Sequence, residues 1–156
     1  MRQHHIASPR DRRHAAVLWA LCGLFAARVL GQALQKWLPL SMLPPFRAFQ
    51  GSAIPYPMLL AAQLLILAIM CRSSWRVQHG GVSSSRRAAI LLPWVGSTYM
   101  AASLARLAIG MSVPRAPAWF KAWISGTFHL VLAGFLVTLA IFHQRANAPE
   151  KFDNDQ

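Results

Sequence analysis

Acidic side chains are almost missing from this chain. Of its 156 residues, only Asp11, Glu150, Asp153 and Asp155 carry a carboxylate, and none lies between Arg12 and Pro149. No cation in that interval can find a carboxylate of its own chain at its own depth. Cysteine is scarce too. Cys22 and Cys71 stand far apart in the sequence and outside any C-x-x-C pair. Both are expected towards the cytoplasmic side, which argues against a structural disulfide. Quinone-linked thiol oxidation would need a vicinal pair, and the sequence shows none. Long polar stretches are also lacking, so no separate soluble domain remains to bind a duplex. The net charge of +12 is then read as membrane topology rather than as a nucleic-acid footprint.

What is present is apolar. The chain is 55% hydrophobic with a mean hydropathy of +0.36. Its apolar residues fall into four blocks, at about 15–37, 54–72, 88–110 and 121–143. Each is long enough to cross a hydrocarbon layer of roughly 30 Å as a helix, the conformation that satisfies its backbone in lipid. The expected fold class is therefore all-α: a polytopic integral membrane protein with a four-transmembrane-helix bundle over 15–143. A basic N-terminal tail, 1–14, and a disordered C-terminal tail, 144–156, flank it. The expected location is a bacterial inner membrane. The opening "MRQHHIASPRDRRH" before an apolar run resembles a signal peptide, and Arg12–Arg13 resembles a twin-arginine signal. Phe25 and Ala27 do not make a small-x-small cleavage site, so an uncleaved first helix is the expectation.

Positive charge sets the orientation. Ten of the sixteen cations fall in the N-terminal tail (Arg2, Arg10, Arg12, Arg13), the second connection (Arg72, Arg76, Arg86, Arg87) and the C-terminal tail (Arg145, Lys151). Only Lys36, Arg47, Arg115 and Lys121 flank the other ends of the helices. By the positive-inside rule both termini are cytoplasmic. The connection 73–87, "SSWRVQHGGVSSSRR", reads as a flexible basic loop attracted to anionic headgroups.

The two remaining cations, Arg28 and Arg106, lie inside apolar blocks. Arg28 is eight residues, roughly 12 Å, from Lys36; Arg106 is four residues, about 6 Å, from Gly110. Gln63 and His129 fall at comparable depth on the second and fourth helices. Arg28, Gln32 and Gln35 share one face by i, i+4, i+7 spacing, as do Tyr99, Ser103 and Arg106; Ser125 and His129 are i, i+4. Polar stripes turn away from lipid, so Arg28, Gln32, Gln63, Tyr99, Ser103, Arg106 and His129 are the candidate ligand-binding set. Gly23, Ala27 and Gly31 are expected to admit a neighbouring helix. The proline-broken segment 36–56 is expected to lie at the interface over the outer mouth, flanked by 111–119. Trp37, Tyr56, Trp119 and Trp123 would form an aromatic belt.

The closing "ALQKWL" of the first block, a central polar residue in an otherwise apolar second helix, and four helices in about 150 residues resemble small bacterial membrane proteins of the DoxX/MauE-like type. That resemblance implies a four-helix membrane fold. It also implies an acidic residue in helix two, where this chain has Gln63, and with that acid a proton- or redox-linked role.

Three functions remain open. The first is a polar pocket in the outer half that takes an anionic or carbonyl-bearing amphiphile: a lipid, an isoprenoid or a quinone. The second is an accessory subunit whose Arg28 or Arg106 pairs with a carboxylate of a membrane-protein partner or a second copy. The third is an enzyme using Tyr99 and His129 as an acid–base pair. No nucleophile–base pair or catalytic residue stands out, and no cofactor is implied: haem b would need a second buried imidazole facing His129, whereas His143 is on the same helix. Membrane lipids are the expected surroundings.

Overall fold

In the computed structural model the chain is described over residues 9–38, 40–49, 54–79, 86–115 and 117–147. All regular structure in these residues is helical. Four long helices carry the apolar blocks: α1 (Pro9–Trp37), α3 (Tyr56–Gln78), α4 (Arg86–Ser112) and α6 (Trp123–Ala146). Two single-turn helices, α2 (Phe46–Phe49) and α5 (Ala118–Lys121), lie in the two connections at the far end, opposite the termini. All four long helices are long and apolar enough to span a membrane. The chain is a multi-pass membrane protein.

Prolines mark the boundaries. Pro9 opens α1, and Pro57 is the second residue of α3 behind Pro55, positions where a missing N–H costs nothing. Leu38 precedes Pro39, which disfavours further helix, and α1 ends at Trp37. Pro93 lies inside α4, where Ser97 Oγ donates to the Pro93 carbonyl. The helices overrun the apolar blocks at the termini end. α1 starts six residues before Ala15, so the expected N-terminal tail is partly helix. α3 continues through Gln78, making much of the expected second loop helical as well. Arg and polar residues there extend a helix into the headgroup layer at no desolvation cost. The rest of that loop (80–85), residues 1–8 and the tail 148–156 with its expected disorder lie outside the described residues.

The helices stand in a row rather than around a closed ring. α3 packs on α1, α1 on α6, and α6 on α4, with no comparable packing between α3 and α4 or between α3 and α6. Burial follows the order: a third of the apolar windows of α1 and α6 is buried, against 17% for α3 and 11% for α4. Heptads write the contacts. On α1 the heptad-spaced buried positions are Ala15, Leu18, Cys22, Phe25, Val29 and Gln32, with Arg28 buried beside them; on α3 they include Tyr56, Gln63, Met70 and Val77. Such 3–4 spacing is the seam of near-parallel, left-handed packing.

The α4–α6 crossing is closer. Gly96 and Ser103 stand seven residues apart on α4, and Gly126, Ala133 and Ala140 recur every seven on α6; Gly110, the next in the α4 series, meets the Phe120 backbone of α5 instead. A Cβ at Gly96 would sit 3.2 Å from the Val137 backbone nitrogen, and one at Gly126 would press on Leu107. Small residues let backbones approach where lipid provides no hydrophobic drive. The expected stripe of Gly23, Ala27 and Gly31 does not serve this purpose. A Cβ at Gly23 would meet nothing outside its own helix within 4 Å, Ala27 is exposed, and a Cβ at Gly31 would only border the Phe49 ring at 3.9 Å. The 3.6-residue repeat carries this stripe round α1, away from the α3 and α6 seams.

Candidate functional site

Arg28 projects from the buried face of α1 with only 8% of its surface exposed. An arginine near the bilayer centre costs roughly 2.5–3.5 kcal/mol on insertion scales, so its surroundings must answer for it. They do so with carbonyl oxygens and a ring. Nη1 donates to Gln32 Oε1 at 3.4 Å, Nη2 donates to the Phe49 carbonyl at 3.2 Å, and the Phe128 ring centroid lies 5.3 Å from Cζ. The i, i+4 spacing on α1 makes the first contact possible. The second comes from α2, which packs across α1 and α6 at the far end and buries Phe49. Gln32, fully buried, also accepts from Gln63 Nε2 on α3 at 3.0 Å. One amide oxygen thereby ties α1 to α3 and to the guanidinium.

Where α3 and α6 part, a cavity of about 310 Å³ opens against α1. Its polar lining is Arg28, Gln63, Ser125 and His129; the rest is aromatic and aliphatic, with Phe49 and Ile54 at the far end. Three buried atoms in this region have no hydrogen-bond partner: Arg28 Nε, Gln63 Oε1 and Gln32 Nε2. A buried unsatisfied polar atom costs about 1–3 kcal/mol. Two of the three belong to cavity-lining side chains, one a donor and one an acceptor.

On the opposite flank of α6, Tyr99 and His129 meet. Tyr99 Oη and His129 Nδ1 are 2.5 Å apart, with the rings edge-to-face. That contact leaves Nε2 as the remaining polar atom of the imidazole. His129 thus touches α4 through Tyr99 and lines the cavity as well. Ser103 turns back on its own helix and donates to the Tyr99 carbonyl at 2.7 Å. Arg106, 6% exposed, is buried on the same face of α4. Among the described residues, no three His, Cys, Asp or Glu side chains gather to hold a metal.

The predicted stripes are therefore brought together in part. Arg28, Gln63 and His129 share the cavity, and Gln32 joins the first two. Tyr99 reaches the cavity only through His129. Ser103 and Arg106 do not line it, because α6 stands between α4 and α1; the expected convergence of all four stripes fails on helix order. Phe49 and Phe128 are site residues that spacing could not supply. Phe49 lies in a connection without periodicity, and Phe128 looks like any apolar residue of a span. Tyr56, read as a belt residue, is instead buried beneath Phe46 and Trp37. Trp37 and Trp123 are exposed, as a belt requires, and the Trp119 side chain lies outside the described residues.

The cysteines overturn the expectation that no vicinal thiol pair exists. Antiparallel packing of α1 and α3 sets Cys22 Sγ 3.3 Å from Cys71 Sγ, as free thiols. They are vicinal in space although 49 residues separate them. Sequence spacing cannot show this, since it depends on the register of two helices. No family model, curated protein or solved structure matches this chain, which leaves its function to be read from the geometry of these sites.

Proposed function

We propose that the chain is a binding protein of a bacterial inner membrane whose cavity holds the head of an anionic or carbonyl-bearing amphiphile, a lipid, isoprenoid or quinone. The observation that carries this reading is the pairing of orphaned polar atoms with an open gap. Arg28 Nε and Gln63 Oε1 are buried, unpartnered and on side chains that line a cavity between α3 and α6. An oxygen-bearing head meets the donor, with His129 Nε2 as a second polar contact, and a hydroxyl on the same head would meet the acceptor. Because α3 and α6 are not packed together, the gap faces the bilayer, and an acyl or prenyl tail can leave through it. Both termini are cytoplasmic on this reading, which rests on the ten-to-four distribution of flanking cations. Kinship with the DoxX/MauE-like proteins belongs to the same proposal and rests on the "ALQKWL" segment and the four-helix plan.

Native mass spectrometry of the purified protein tests the reading. A retained small amphiphile, lost in Arg28→Met, supports it. A protein partner released by the same substitution points instead to an accessory subunit. Arg28 already spends two of its nitrogens on Gln32 and Phe49, which favours the pocket over a partner's carboxylate. The Tyr99–His129 contact supports a further reading, an acid–base pair that moves a proton on the bound head. Tyr99→Phe separates the two: it leaves ligand retention intact and abolishes only turnover.

A further inference from the structure

Cys22 and Cys71 lie outside the cavity and take no part in the polar network. Cys22 is 3% exposed and Cys71 is half-buried. Along α1, Cys22 is nine residues, roughly 14 Å, from Arg13, whereas on α3 Cys71 directly precedes the exposed Arg72, so the pair lies towards the termini end of the apolar helices. Cross-helix hydrogen bonds hold the register on both sides. Gln63 donates to Gln32 on one side, and Trp19 Nε1 donates to Gln78 Oε1 at 2.7 Å on the other. Between these two fixed levels the sulfurs stand 3.3 Å apart. A disulfide bond of about 2.05 Å is a short further approach from this separation.

We propose that Cys22 and Cys71 are a redox-active dithiol, oxidised to an intrachain disulfide by a lipid-soluble quinone. Two S–H bonds break and one S–S bond forms. The two electrons and two protons reduce one quinone to its quinol. The class of oxidant follows from the burial of Cys22 between two apolar helices, which favours a membrane-dissolved oxidant over a charged, water-borne one such as glutathione disulfide. The inference is independent of the cavity reading, since neither sulfur lines the cavity.

The test uses the full-length protein in lipid nanodiscs, reduced and freed of reductant. The probe is a fully substituted alkyl benzoquinone, which has no ring position open to thiol addition. The expected result is about one quinol per chain, a mass loss of two hydrogens, and both cysteines protected from maleimide after unfolding. Glutathione disulfide at equal concentration should oxidise the pair at least tenfold more slowly. Cys22→Ser and Cys71→Ser should each abolish quinol formation. Both thiols still reactive after quinone treatment would overturn the proposal, as would disulfides formed only between chains. Equal rates with the two oxidants would overturn the assignment of a lipid-soluble oxidant. Should either serine variant fold poorly, the wild-type mass and labelling results decide alone.

Discussion

Arg28 is a charge held by oxygen atoms and an aromatic face, without a carboxylate. Its replacement by methionine removes the desolvation cost, so membrane insertion should be unchanged or improved. The same change leaves the Phe49 carbonyl without its donor, leaves Gln32 Oε1 with Gln63 alone, and strips the cavity of its cation. Ligand retained through purification should fall at least tenfold by mass spectrometry. Lysine should recover only part of it, because one ammonium cannot reach Gln32, Phe49 and a ligand in the planar geometry of a guanidinium. An Arg28→Met protein that keeps its full ligand complement would reduce Arg28 to a structural residue. At this scale the sequence was informative about Arg28, Gln32 and Gln63, since helical spacing and the expense of a buried charge both act locally. It was silent about Phe49, whose contact comes from a connection, and about the thiol pair, whose contact is a matter of register.

Among the helices, small residues decide which pairs approach closely. Gly96 faces the backbone of α6, whereas Gly23 faces open space. Gly96→Leu should lower unfolding stability by about 1–3 kcal/mol through overpacking, while Gly23→Leu should be nearly neutral. Thermal unfolding of the two variants in one detergent checks this, and equal losses would mean that the α4–α6 crossing is misassigned. Helix order has its own test. In a background without native cysteine, cysteines at Gln32 and Gln63 should cross-link readily. Cysteines at Gln32 and Ser103 should not, because α6 separates their helices. The four spans could be read from hydropathy alone, since length and apolarity determine them. Their order in the row could not: it depends on α4 and α6 presenting complementary heptads of small residues, which resemble ordinary apolar sequence until the two helices are paired.

For the molecule in its membrane, orientation governs which leaflet the cavity faces. A reporter active only outside the cytoplasm should be active when fused after Gly51 or Pro117, and silent after Gly80 or at Gln156. The reverse pattern would move the cavity to the cytoplasmic leaflet while leaving its chemistry intact. The row of helices has a further consequence. A closed ring would enclose its ligand entirely in protein, but here one side of the cavity is completed by whichever acyl chains lie between α3 and α6. On the proposed function the bilayer is both the reservoir of ligand and part of the container. Occupancy should follow the mole fraction of ligand among the lipids and not its molar concentration in the sample. Diluting the proteoliposomes with buffer should leave the site filled, and diluting them with plain lipid should empty it.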